Sequence, residues 1–152
     1  MKKTNTRTLV IGAILLLTMN VNSFAQDFVN VCADAEVFYN LNEAIALKDK
    51  VQKLDLSMQK IKALPATISV LQNLECLDLS FNIFSTLPAE FSQLKKLTYL
   101  NLTGTRYMAL VPKVVKELPN LKVLDLRDHP EWPKAAFEEA RKMLPNVTII
   151  TQ

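Results

Sequence analysis

Two cysteines, a single histidine and a recurring aspartate are the residues of this 152-residue chain whose types could do chemistry. A Cys–His pair would make an activated nucleophile. His129, however, lies between Asp128 and Pro130 in what reads as a turn. Cys76 falls two strand spacings to one side of it, roughly 10 Å, so the two cannot pair. Asp55, Asp78 and Asp125, with Asn101 in the matching place, could gather a cation. Calcium needs about six or more oxygens, and water together with Ser57 and Ser80 can satisfy these carboxylates instead. Two glycines in the whole chain leave no phosphate-cradling loop, and no Cys/His group has zinc-ligand spacing. The expectation is therefore a protein without catalytic residues, metal or cofactor.

The elements that must position these residues follow from one phrase. Leu74-Glu75-Cys76-Leu77-Asp78-Leu79 returns as Val51 to Leu56, Leu97 to Leu102 and Leu121 to Leu126. The starts at 51, 74, 97 and 121 give periods of 23, 23 and 24 residues. Apolar residues at the fourth and sixth places alternate with polar ones, which is the period of a strand with one face inward. The inward set is Leu54, Leu56, Leu77, Leu79, Leu100, Leu102, Leu124 and Leu126. Each unit then returns along a second side, carrying Ile61, Leu64, Ile68 and Leu71 in the first repeat and Phe84, Leu87, Phe91 and Leu94 in the second. Met108, Val111, Val115 and Leu118 match them in the third if one residue is inserted near Arg106. Pro65, Pro88 and Pro112 preset the bend at which the return begins. One such unit cannot cover its own apolar face, so stacked neighbours must.

Residues 51–73 and 74–96 resemble the 23-residue leucine-rich repeat, and the chain is similar to small secreted leucine-rich repeat proteins of the Bacteroidetes type. The resemblance covers roughly residues 40 to 152 and rests on the repeated Leu-Asp-Leu wording and the Leu-Pro turns. It implies an α/β solenoid: a short right-handed arc with parallel strands on the concave face and an irregular or helical convex side. For function it implies protein binding without catalysis. In the family an asparagine at the ninth place bonds the turn backbone; here only Asn82 fits, with Gln59, Thr105 and His129 in the other places. The turns of repeats three and four should accordingly be less regular.

Residues 1–25 stand apart. Lys2, Lys3 and Arg7 precede an apolar run from Leu9 to Met19, and Ser23-Phe24-Ala25 offers small residues at a cleavage site between Ala25 and Gln26. That is a secretory signal, and its apolar run is too short to span a bilayer. Its removal takes three of the 18 basic residues and none of the 15 acidic ones, leaving 15 of each. The apparent basicity is an export feature, and nucleic-acid binding is not expected. The mature chain is expected to be secreted or periplasmic, with no membrane span. A disulfide is permitted there, yet Cys76 belongs to the concave face and Cys32 to the end of the solenoid. Two separate thiols are the expected state; a bridge would need the N-terminal segment to fold back over the second repeat.

The ends need covers. Residues 26–50 form an N-terminal cap, with Asn40 and Glu43 framing a helix from Leu41 to about Lys48 whose Leu41, Ala44, Ile45 and Leu47 seal the first repeat. The repeats occupy 51–73, 74–96, 97–120 and 121–146. Within the last, Lys134 to Leu144 reads as an amphipathic helix that Pro145 stops, and Trp132 either anchors the turn before it or contacts a ligand. A terminal strand, 147–151, follows and leaves an uncovered edge.

Ligand contact should fall on the concave face. The third-place column reads Lys53, Cys76, Tyr99, Val123, Ile149, and its last four members would form an exposed apolar strip. Two readings stand: a binding strip centred on Tyr99, or ordinary strand-favouring residues. Asp78, Asn101, Lys122 and Asp125 frame the strip. Two functions follow. One is a secreted module that grips a protein partner through Cys76, Tyr99, Val123 and Ile149. The other is an assembly protein forming a homodimer by pairing Thr148 to Thr151 across a two-fold axis.

Overall fold

The computed structural model describes residues 32 and 34–151. The expected signal segment, residues 1–25, and its expected cleavage site between Ala25 and Gln26 lie outside the described residues. Six strands form one all-parallel sheet in chain order: β1 (Val37–Phe38), β2 (Lys53–Asp55), β3 (Cys76–Asp78), β4 (Tyr99–Asn101), β5 (Val123–Asp125) and β6 (Thr148–Ile150). Lys53, Cys76, Tyr99 and Val123 share one column, so the sequence period is the physical register. Parallel neighbours require a crossover between every pair, and each crossover supplies the second wall of its coil.

Those walls are short 3-10 turns at Ala66–Val70, Ala89–Gln93 and Lys113–Glu117, each preceded by the proline expected to set the bend. Pro65, Pro88 and Pro112 hold φ between −73° and −60°, leaving the chain extended until the turn starts. Helix α1 (Leu41–Ala46) covers the first coil, its Asn40 side chain accepting from the backbone of Asn42 and Glu43. Helix α2 (Lys134–Met143) replaces the 3-10 turn in the last coil and buries Ala136 and Ala140.

One apolar core runs through the stack. All eight inward leucines belong to it, and the return-side residues Leu64, Ile68, Leu71, Phe84, Leu87, Phe91, Leu94, Met108, Val111, Val115 and Leu118 meet them there. The inserted residue of the third repeat is absorbed in a tight loop, where Arg106 N–H donates to Gly104 O and Met108 N–H to Thr105 O. Tyr107 is thereby turned outward.

Three expectations about the ends are corrected. The cap contributes a strand, β1, that two residues are too few to announce by periodicity. Helix α1 ends at Ala46, and Leu47 is exposed rather than sealing the first repeat. At the far end Thr148, not Ile149, pairs with Val123. A shift of one residue exchanges the faces of a strand, so Ile149 aligns with Leu124 and packs against the core instead of extending the third-place strip.

Between coils, side chains bond the turn backbone. Asn82 donates to Leu56 O at 2.8 Å and Leu79 O at 2.9 Å, and accepts from Ile61 N–H at 2.9 Å. In the next two places the ladder is altered rather than lost. Thr105 Oγ donates to Leu102 O in its own coil, while the His129 ring reaches back one coil to the same carbonyl at 2.9 Å. Because a carbonyl only accepts, Nε2 of His129 carries the proton. Its buried Nδ1 has no hydrogen-bond partner and lies 3.8 Å from Glu131. Trp132 stacks on this ring with centroids 4.2 Å apart and donates to Met108 O, anchoring the last turn.

Candidate functional site

Alternation along β2 to β5 turns Leu54, Leu77, Leu100 and Leu124 into the core and leaves their neighbours on the other face of the sheet. Two columns stand there. The first is Lys53, Cys76, Tyr99, Val123 and Thr148; the second is Asp55, Asp78, Asn101, Asp125 and Ile150.

The first column is not the exposed strip expected. Cys32 is disulfide-bonded to Cys76, with the two Cα atoms 6.4 Å apart, so the expectation of two separate thiols is overturned. Cys32, Cys76 and Tyr99 form a buried cluster with the half-buried Val123 against it. Exposure is 0% at Cys76 and 3% at Tyr99. Lys53 Nζ donates to Cys32 O at 3.4 Å. The residue that covers the strip comes from the N-terminal side of the chain, which no repeat pattern predicts.

The second column is a chain of polar contacts. The side chains of Asp55, Asp78, Asn101 and Asp125 each accept from the backbone N–H two residues on, at Ser57, Ser80, Thr103 and Arg127. This fixes each side chain against its own turn. Asn101 Nδ2 also donates to Asp78 Oδ2 at 2.8 Å, which offsets the repulsion of neighbouring carboxylates Asp55 and Asp78. Asp125 is fully buried and receives Arg127 in two-pronged fashion, Nε to Oδ1 at 3.0 Å and the terminal nitrogen to Oδ2 at 2.7 Å. Thr103 hydroxyl donates to the same carboxylate at 3.1 Å, and Tyr99 hydroxyl at 3.4 Å.

The electrostatics follow from this packing. Burial pushes the Tyr99 phenol above its usual range, and the charges of Asp125 and Asp78 push the same way while Arg127 opposes them. The hydrogen bond to Asp125 raises the Arg127 guanidinium further, against the effect of its partial burial. The face thus holds a neutral phenol beside a fixed ion pair.

Of the candidate residues, Asp78, Tyr99, Asn101 and Asp125 are brought together on this face, joined by Thr103 and Arg127. Lys122 is exposed one residue before β5, Val123 is half-buried, and Cys76 lies under the bridge. Ile149 is elsewhere, in the core column. Arg127 was legible as Asp125's partner, since residues two apart on an extended segment share a face; Cys32 had no such signal. Cys76 is bridged, and His129 is bonded to Leu102 O in a different turn, so the two do not pair. Among the described residues, no group of three or more His, Cys, Asp or Glu is placed to hold a metal, and no helix is long and apolar enough to cross a membrane.

Stacked coils with a parallel sheet on one wall and an ordered row of polar side chains on its open face define a repeat solenoid. The chain belongs to the leucine-rich repeat family: the family model described as a leucine-rich repeat region matches residues 34–145. Such domains are, as a class, protein-interaction modules. Among solved structures the chain is similar to a leucine-rich repeat protein of Leptospira interrogans, at 27% identity and a TM-score of 0.48. That match covers 76% of this chain and 34% of the other, so this chain spans about a third of that protein's length. No curated protein matches the sequence.

Proposed function

We propose that this protein is an extracytoplasmic, non-enzymatic binding module that holds a protein partner on its strand face. The observation that carries the reading is the row Asp55, Asp78, Asn101. These side chains are half-exposed, yet each is locked by a hydrogen bond to the turn that follows it. Polar groups held in one orientation before binding lose little entropy on docking. With Lys53 and Lys122 beside them, they present both signs of charge to a partner whose polar surface is complementary. The export-type N-terminus and a Cys32–Cys76 bridge, a bond that persists in oxidising compartments, support the location.

The test replaces Asp55→Arg and Lys122→Glu together, since neither side chain contributes to the core. Affinity capture from periplasmic and surface extracts with the parent protein, read by mass spectrometry, defines the partner. The double variant, folded by circular dichroism, is expected to lose it. A partner retained in full would place binding on another surface.

A second reading is self-association through β6. Among the described residues no strand pairs with its outer edge, and Thr148 is exposed there. Light scattering checks it: a concentration-dependent dimer abolished by Thr148→Lys supports pairing, and a monomer at high concentration rejects it. Ile149 is unsuitable for this test because it packs against the core.

A further inference from the structure

The strand face has an occupant supplied by its own chain. Cys32 lies 44 residues before Cys76 and is bonded to it. Around that bond, Cys32, Cys76 and Tyr99 form an apolar cluster, with Val123 against it, distinct from the core of the repeats. The two clusters lie on opposite faces of the sheet. Leu77 and Leu100 hold the coils together on one side, while Cys76 and Tyr99 point to the side where a solenoid receives partners. Nothing in the repeat geometry itself covers that second side. A small apolar residue, a tyrosine and a valine in one column make the kind of patch on which interfaces are anchored. Among the described residues the patch is closed by Cys32, whose carbonyl also accepts from Lys53.

We infer that the Cys32–Cys76 bridge is a redox latch over the centre of the binding face. While the bond stands, Cys32 occupies the Cys76–Tyr99–Val123 strip, and the polar row beside it is open to a partner. When a dithiol reductant breaks the bond, the strip opens to a partner segment that places a small apolar side chain where Cys32 sits. The reaction is an ordinary exchange. One thiolate of the reductant attacks the sulfur of Cys32, the more accessible of the two at 6% exposure. The Cys32–Cys76 bond breaks, and Cys76 leaves as a thiolate and takes a proton. The second thiol of the reductant then closes on the first, releasing Cys32 as a thiol. Two electrons pass from the dithiol, which ends as a disulfide. Neither cysteine belongs to the apolar cluster that packs the coils together.

This inference rests on reading the strand face as the binding surface and adds its regulation, and the two are tested apart. In the full chain bearing Cys32→Ser, Cys76 is the single thiol. Its alkylation by a maleimide is expected to run within about tenfold of the rate in denaturant, as for a site that opens locally without unfolding the protein. The reduced parent protein should behave alike, with circular dichroism and cooperative unfolding retained in both. Two results overturn the latch. One is protection of Cys76 by about a thousandfold or more in the folded, unbridged chain, meaning the strip stays covered without the bond. The other is loss of the fold in both the variant and the reduced parent, meaning the bridge is a structural staple. Labelling reads the latch alone, whereas the Asp55→Arg and Lys122→Glu pair reads partner binding, so either idea can fail while the other stands.

Discussion

Arg127 closes on Asp125 from two residues away, with three guanidinium contacts between 2.7 and 3.1 Å and the carboxylate fully buried beneath them. The arginine side chain remains 42% exposed, so the pair sits at a boundary between core and solvent. Removing one member therefore has unequal consequences.

Asp125→Ala is expected to destabilise the protein by about 2–4 kcal/mol, because the hydrogen bonds from Thr103 and Arg127 go with the carboxylate. Arg127→Ala should cost about 1–3 kcal/mol, since Thr103 and the backbone N–H of residue 127 still serve the buried charge. Urea unfolding of both single variants and the double one should give a coupling above about 1 kcal/mol. Additive losses would mean that the pair does not act as a unit.

Gly104 occupies a left-handed turn position, φ +61°, that Met58, Phe81 and Asp128 occupy in the other coils. A Cβ at Gly104 would come 2.5 Å from the Phe81 ring and 3.2 Å from Asp128. Gly104→Ala is expected to cost about 1–3 kcal/mol from backbone strain and the displaced ring together. Adding Phe81→Ala should recover the ring's share, so the double variant loses less than the sum of the single losses. Thermal unfolding of the four proteins measures this.

Asn82 donates to Leu56 O and accepts from Ile61 N–H in the preceding coil and also serves Leu79 O and Ser80 O in its own, whereas Thr105 serves one carbonyl in its own. Asn82→Ala leaves those buried groups unpaired and should cost about 2–4 kcal/mol, against about 1 kcal/mol for Thr105→Ala. Equal losses in denaturant titrations would show that the bonds between coils count for no more than those within one.

Tyr99 also carries a pH dependence. Its folded pKa is raised by burial and by Asp125 and Asp78, so the folded state holds this proton more tightly than the unfolded chain does. The contribution to stability is complete below the unfolded value of about 10 and is lost as pH climbs from there toward the folded value. Stability should therefore fall above about pH 10, more gently in Tyr99→Phe. Phenolate absorbance checks the same point, because the Tyr99 step should appear only together with unfolding.

The repeat core was legible residue by residue. Leu77, Phe91 and Val115 were placed by a period that each coil restates, and the structure buries all three completely. The prolines at 65, 88 and 112 announced the turns in the same way, because their effect on φ acts within one or two residues. The strand face was legible only in part. Asp78, Asn101 and Asp125 were placed in one column correctly, but Ile149 was assigned one residue out of register, and at a chain end no later repeat corrects such a slip.

What the amino-acid sequence determined by itself is what recurs locally: the solenoid, its inward leucines, its turns and the identity of its open face. Tertiary structure decided what covers that face and which partners its polar groups choose. Cys32 meets Cys76 across 44 residues of chain, and no periodicity carries information over a single contact of that range. Thr103 reaches Asp125 because adjacent coils stack in register, a distance set by packing and not by the two-residue spacing that puts Arg127 beside the same carboxylate. Repetition makes a scaffold readable because each unit confirms the last. A contact made once is settled only when the folded chain brings its two ends together.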